Sequence, residues 1–354
     1  MKKLIFFTLT FFTFFAFGQN KTEAEKLVKE GVSYHDKGDY QNAISKYNKA
    51  LELDKDNLLA LAEKAFSLML MEKYDDAIKC CTRAIATHEN DKLLENIYVT
   101  YGNALDGLKK TDQSLEIYDE GIKKFPESFM MHFNKGISLF SQKEYEDALL
   151  CFEKAVLINP DHAGSHNAIA RLEYLQDKRI PAILAYCRFF TVEPESRRAQ
   201  ENLEVLKTLV RGNAKKTGKN TISINLDTST MGDTTADGKN KPDNFSSAEL
   251  ILELSASLQL TKDHKKKNEV DEFVSKMETL ASLLNDSEQK NSGFFWEYYT
   301  PFLVDMKDKK MMETFGYVVY ASSGESYVKK WLKKHPKELE AFFIWSSKFD
   351  WKIE

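Results

Sequence analysis

Small and apolar residues recur in the first half of the chain in columns about 34 residues apart. Gly31, Ala65, Gly102, Gly136 and Ala170 fall at steps of 34, 37, 34 and 34 residues. Ala43, Ala77, Ser114, Ala148 and Ala182 follow at the same steps. So do Tyr47, Cys81, Tyr118, Phe152 and Tyr186, and then Ala50, Ala84, Gly121, Ala155 and Phe189. A unit of this length holds two short helices joined by a turn. One unit cannot cover its own apolar face, so neighbours must stack. The pattern predicts an all-α chain with units at 24–57, 58–91, 95–128, 129–162 and 163–196, and residues 92–94 inserted between the second and third.

The columns resemble those of the tetratricopeptide repeat. The first copy reads AEKLVKEGVSYHDKGDYQNAISKYNKALELDKDN, and the fourth ends in Asn159-Pro160. In such a unit the Gly/Ala column lets two helices approach, the Ala43 column lies opposite, and the Tyr47 column fills the gap. Tyr40, Tyr74 and Tyr145 head second helices, and Pro126, Pro160 and Pro194 end them. The third unit departs at Thr111 and Ser114, the fifth at Arg179 and Phe189. Pro181 of the fifth fits only in the first turn of a helix. The resemblance covers about half of the chain. It implies a right-handed superhelical α-solenoid of about five helix-turn-helix repeats, whose first helices line a concave groove for protein partners.

Beyond the repeats the pattern changes. Ala199, Leu203, Leu206 and Val210 form one stripe, predicting a helix at 197–211 that caps the array (24–211). Residues 212–245 are rich in Gly, Asn, Thr, Lys and Asp and read as a flexible linker, with Ile222, Ile224 and Leu226 alternating as an extended piece. Residues 246–354 are helical by period, with Val270, Phe273, Met277, Leu280 and Leu284 on one face, a helix start at Thr300-Pro301, and a last helix opened by Pro336. They predict a C-terminal α-helical domain whose columns do not align with those of the repeats. Trp296, Trp331, Trp345 and Trp351 all fall in it. Two readings of these rings stand: a core for a small helical domain, or an exposed face for sugars or a partner.

Charge and composition narrow the function. Lys2 and Lys3 precede an uncharged, Phe-rich run, and Ala16-Phe17-Gly18 is a small-x-small site. Residues 1–18 therefore read as a signal peptide, leaving Gln19 first. The run is shorter than the roughly 20 residues that span a bilayer, so no stable membrane span is expected after cleavage. The alternative is an uncleaved anchor. Export is expected to the periplasm or beyond the cell. The chain has 50 basic and 54 acidic residues, a net charge of −4, and the two leader lysines make the rest more acidic still. Such a balance does not suit nucleic acid. Cys80, Cys81, Cys151 and Cys187 sit on second helices in an arrangement that suits buried thiols rather than disulfides. No metal or cofactor motif occurs, and no catalytic residue is assigned. His88-Glu89-Asn90-Asp91 falls in an inter-repeat turn, where polar residues are ordinary.

The expected function is a non-enzymatic, exported protein–protein interaction scaffold. Family members that grip a peptide carboxylate place Lys and Asn on their first helices. The matching positions here hold Val28 and Val32, Ala62 and Phe66, Val99 and Asn103, Phe133 and Ile137, and Asn167 and Arg171. The cationic clamp is mostly missing, and the groove is apolar in three of the five repeats. The expected groove residues are Val32, Phe66, Met69, Leu70, Asn103, Phe133, Ile137, Phe140, Arg171 and Tyr174. They would hold a peptide or helix from another protein, or this chain's own linker; alternatively they pack between neighbouring first helices. The other functional reading is an envelope carbohydrate- or nutrient-uptake binding subunit that uses the C-terminal aromatics.

Overall fold

A computed structural model of the chain describes residues 20–212, 215–216, 222–223, 242–261, 268–287 and 291–351. The expected signal peptide and most of the expected linker, including Ile224 and Leu226, lie outside the described residues. The chain is an all-α helical-repeat protein with two compact units, one ending at Cys151 and the other beginning at Phe152.

The first unit is a run of helix hairpins: α1 (20–35), α2 (Tyr40–Leu53), α3 (Leu58–Leu70), α4 (Tyr74–Thr87), α5 (Leu94–Gly107), α6 (Thr111–Lys124), α7 (Phe129–Ser141) and the start of α8 (Tyr145–Ile158). The column pairing has a steric cause. A Cβ on Gly31 would stand 2.3 Å from Tyr47 Cε1, and one on Gly102 2.3 Å from Tyr118 Cε1. Each tyrosine ring comes up against the glycine backbone and is fully buried. Where the first helix carries Ala65, the aromatic column shrinks to Cys81, and both are inaccessible to solvent. Neighbouring hairpins share one core, in which Leu61, Leu68, Ile97, Tyr98 and Met131 meet.

Every hairpin turns in the same way. Gly38, Glu72, Lys109 and Lys143 hold left-handed backbone, at φ 76°, 60°, 59° and 66°. The next amide then reaches back five residues: Asp39 to the Tyr34 carbonyl at 3.0 Å, Lys73 to Leu68 at 2.9 Å, Lys110 to Leu105 at 2.9 Å and Glu144 to Leu139 at 3.0 Å. This closure satisfies a carbonyl that the helix end leaves open. Only the first turn uses glycine, the residue that takes positive φ without a Cβ penalty.

The second unit begins within α8 and contains α9 (Ala163–Leu175), α10 (Arg179–Val192), α11 (Arg197–Arg211), α12 (Ser246–Thr261), α13 (Glu269–Ser287), a π-helical turn (Phe295–Tyr299) running into α14 (Thr300–Asp308), α15 (Met312–Val319), α16 (Ser326–Lys334) and α17 (Pro336–Ser347). Two short strands, β1 (Lys215–Lys216) and β2 (Ile222–Ser223), pair antiparallel with Lys215 opposite Ser223. The helix expected to start at Thr300-Pro301 is already under way at Phe294. The π-helical turn carries the chain into Pro301, whose nitrogen has no hydrogen to donate to the preceding turn.

The C-terminal helices are not set apart from the fifth repeat. α9, α11, α12, the π-helical turn, α14 and α15 all pack on α10. Every residue of α10 from Ile180 to Thr191 is buried, so this helix has no polar face. Arg179 and Phe189, unusual for a repeat, follow from that burial. Arg179 donates to the Leu209 carbonyl (2.6 Å) and pairs with the buried Glu253 of α12. Phe189 packs against Tyr186 and Phe190. Pro181 occupies the first turn. The thiols of Cys80, Cys81 and Cys187 are free and buried, and that of Cys151 is free and half-buried.

Gly102→Ala is expected to destabilise the protein by about 1–3 kcal/mol, since the added methyl must displace a ring that has nowhere to go. Chemical denaturation followed by far-UV circular dichroism checks it. An unchanged midpoint would show that the Tyr118 ring does not fix the spacing of that hairpin.

Candidate functional site

First helices in the first unit lie side by side. The His35 ring of α1 stacks on Phe66 of α3 at 5.1 Å, and its Nδ1 lies 2.7 Å from the Ser67 hydroxyl. On α5, Asp106 accepts from Ser114 (3.0 Å) and from Ser138 of α7. Each helix turns one stripe outward, because residues three and four apart share a face. On α3 that stripe is Leu59, Ala62, Phe66, Met69 and Leu70.

Exposure separates the expected groove residues. Phe66, Leu70 and Ile137 are 40%, 41% and 44% exposed. Val32, Met69, Phe133 and Phe140 are half-buried. Val32 and Met69 pack on the cores beneath them, and Phe140 meets Tyr145 at 5.5 Å. Asn103 accepts from the buried Tyr118 hydroxyl at 2.7 Å, so its carbonyl end is engaged. Arg171 and Tyr174 belong to the second unit and are exposed, Tyr174 by 43%. Tyr34, His35, Leu59, Glu63 and Asp106 were not singled out by sequence. The same three- and four-residue spacing from Val32, Phe66 and Asn103 reaches most of them. Burial, then the Asp36 carboxylate, push the Glu63 carboxyl up, while His35 opposes the shift.

The second unit holds strongly perturbed groups, of which His166, Arg188 and Glu173 are buried. His166 is inaccessible to solvent. The Pro160 carbonyl can only accept, so Nε2 carries the proton there (2.9 Å) and Nδ1 accepts from the Tyr299 hydroxyl (2.7 Å). Burial and the nearby Arg188 push the imidazole down to about 3, so it stays neutral. Arg188 is buried against Asp161 (2.5 Å), the Ser346 hydroxyl (2.6 Å) and the Trp351 ring (4.7 Å to its centroid). The indoles are likewise engaged. Trp296 stacks on Phe245 at 4.4 Å, Trp345 on Phe302 at 4.9 Å, and Trp331 on Tyr317 and on His335, each at 4.1 Å.

Three carboxyls form the other perturbed group. Burial, then the charges of Asp243 and Glu173, push Glu153 up to about 8. Burial pushes Glu173 up to about 7 against the pull of Lys178, and Asp243 up to about 6 against backbone amides that include those of Phe295 and Trp296. Glu173 is inaccessible, and neither of its oxygens accepts a hydrogen bond. Among the described residues no cluster of three His, Cys, Asp or Glu is arranged to hold a metal ion, and no helix is long and apolar enough to cross a membrane.

A family model described as "Tetratricopeptide repeat" matches residues 130–162, and one described as "TPR repeat" matches 31–71. The Hsp70-Hsp90 organizing protein of Triticum aestivum is 27% identical over 183 residues, which cover 51% of this chain and 31% of that protein. Protein O-mannosyl-transferase TMTC1 of Homo sapiens is 28% identical over 194 residues, covering 53% of this chain and 21% of that protein. The solved structure of pilF from Pseudomonas aeruginosa aligns with a TM-score of 0.47 at 18% identity, covering 73% of this chain and 99% of that one. The chain spans about a third or less of the length of these two relatives. Fold and matched segments together define an all-α helical-repeat protein. The chain carries tetratricopeptide repeats, matched at residues 31–71 and 130–162.

The raised carboxyls set a pH dependence. Their folded-state values lie above the unfolded value of about 4, so their contribution to stability is complete below about pH 4. It is lost as pH rises through about 6 to 8. Glu173→Gln is expected to flatten the fall in melting temperature between about pH 5 and 8.5 relative to wild type. Parallel slopes for the two proteins would show that Glu173 is ionised in the folded state at neutral pH.

Proposed function

We propose that this chain is a non-enzymatic interaction scaffold, exported from the cytoplasm, that holds a peptide or helix of another protein on the first helices of its first unit. The observation that carries the reading is the exposure of Phe66 and Leu70, joined by Leu59, on α3 and of Ile137 on α7. Several large apolar side chains left in water on one side of a helix mark an interaction site more often than an accident of packing. Each large side chain that a partner covers is worth roughly 1.5–3 kcal/mol, so a few such contacts hold an amphipathic helix. The name of the wheat relative speaks of organising two other proteins, which fits a scaffold.

Export rests on the sequence at 1–18, and the periplasm is the compartment it favours. The carbohydrate-binding alternative needs aromatic faces open to solvent. In the structure Trp296 is buried, and Trp331, Trp345 and Trp351 are half-buried against neighbouring rings, which favours the scaffold.

Phe66→Glu combined with Ile137→Glu is expected to cut partner recovery from envelope extract at least tenfold. Helical content and melting temperature should stay near wild type, because both side chains are already part-exposed. Unchanged recovery by the folded double variant would refute this face as the site. For export, mass spectrometry of the native protein is expected to give Gln19 as the first residue. An intact Met1 in the cytoplasmic fraction would refute it.

A further inference from the structure

Helix α16 of the second unit carries charge of one sign. Its sequence, SYVKKWLKK, has four lysines and no acid, and Lys337 follows in the first turn of α17. All five lysines are exposed. At about 100° per residue, Lys329, Lys330, Lys333 and Lys334 cover about 140° of the helix surface. The other residue of that arc is Ser326, also exposed. Val328, on the opposite side, is inaccessible to solvent. None of the five lysines forms an ion pair among the described residues. Acids do border the helix. Glu325 precedes it, and Glu338 and Glu340 lie on α17. Glu269, with Lys207, comes within electrostatic reach of Tyr327, and Asp271 and Glu313 within reach of Tyr317, on which Trp331 stacks. These last approach the aromatic edge of α16, outside the lysine arc. His335 stacks on Trp331 and donates to its carbonyl at 2.8 Å.

Stability of the fold does not account for this arrangement. Lys329 with Lys333, and Lys330 with Lys334, are like-charge pairs four residues apart, which weaken a helix. Lys337 stands at the positive end of α17, where a cation is unfavourable. Only Lys333 and Lys334, in the last turn of α16, are favoured by the helix dipole. We infer that α16 docks the protein peripherally on a bilayer surface rich in anionic phospholipid, with its lysine face toward the headgroups. A protein partner is held mainly by aromatic and apolar anchors in desolvated pockets, and this arc holds only Ser326 and lysines. A charged leaflet asks for no such anchor, since the attraction of each lysine adds to the next. Lysine suits that role as a compact point charge, whereas arginine suits bidentate recognition of one group. The inference is independent of the apolar side chains on the first unit.

The test is flotation of the purified full chain with phosphatidylcholine vesicles containing none or about a third phosphatidylglycerol. The readout is the ratio of binding to the two vesicles, which cancels any purely apolar anchoring by residues 1–18. Anionic vesicles are expected to bind at least tenfold better at low salt, with the ratio falling as salt rises. Lys329→Gln, Lys330→Gln, Lys333→Gln and Lys334→Gln together should remove most of that ratio. Helical content should be kept and the melting temperature should not fall, because two repulsive pairs are lost. Should the fourfold variant fold poorly, Lys329→Gln with Lys333→Gln keeps the test. Lys21→Gln, Lys29→Gln, Lys37→Gln and Lys49→Gln, all exposed on the first unit, remove the same charge elsewhere and should change little. Equal binding to both vesicles overturns the inference. So does an equal loss in the first-unit variant, which would assign the attraction to charge spread over the whole protein. Poly-glutamate bound through the same lysines while anionic vesicles are not would also overturn it, and would assign the face to an acidic protein instead.

Discussion

The close approach of tyrosine rings to glycine backbone governs the first unit. With a Cβ on Gly31 or Gly102 the ring of Tyr47 or Tyr118 could not lie where it does. The ring in turn sets how far the second helix stands from the first. That spacing decides which stripe of the first helix is spent on its own hairpin and which remains for the outside. The left-handed turns at Gly38, Glu72, Lys109 and Lys143 repeat the geometry from hairpin to hairpin. The outward positions of α1, α3, α5 and α7 therefore come into line by construction. Phe66 and Ile137 are exposed because the steric requirements of the hairpin are met by other residues.

A different constraint governs the second unit. Helix α10 is buried on all sides, and the helices after residue 245 supply the cover. Most buried polar groups there are matched, although neither Glu173 oxygen accepts a hydrogen bond. Arg179 is tied to Leu209 and Glu253, Arg188 to Asp161 and Ser346, and His166 to Tyr299 and Pro160. Removing one member of such a set leaves a buried charge or donor without a partner, which costs far more than a surface ion pair contributes. The fifth repeat is thus part of the core of its own unit rather than a copy with a free outer surface.

What the sequence revealed and what it hid follow from this contrast. The helical pairs of the array were legible because their packing is local and repeats with a fixed period. Helix α11 was legible from a single stripe. The role of α10 was not, since a helix buried all round has no stripe to read, and its contacts come from residues up to about 160 positions away. The departures at Arg179 and Phe189 were the available signal. They read as a degraded repeat when they mark burial. On the outward stripe of the first helices, large apolar side chains showed through the repeat register. Half-buried Phe133 and Phe140 could not be told from exposed Ile137 by type alone. Asp106 was missed because its position depends on serines of two other helices.

The central claim is that partners meet this protein on the first helices of its first unit. Site-specific photo-crosslinking in living cells tests it most directly, with a photoreactive phenylalanine analogue placed in turn at positions 66, 137 and 83. Positions 66 and 137 lie on the apolar face, and Arg83 is exposed on α4 beside Asp56. The account predicts discrete higher-mass adducts from 66 and 137 and none from 83. Adducts from position 83 alone would contradict it.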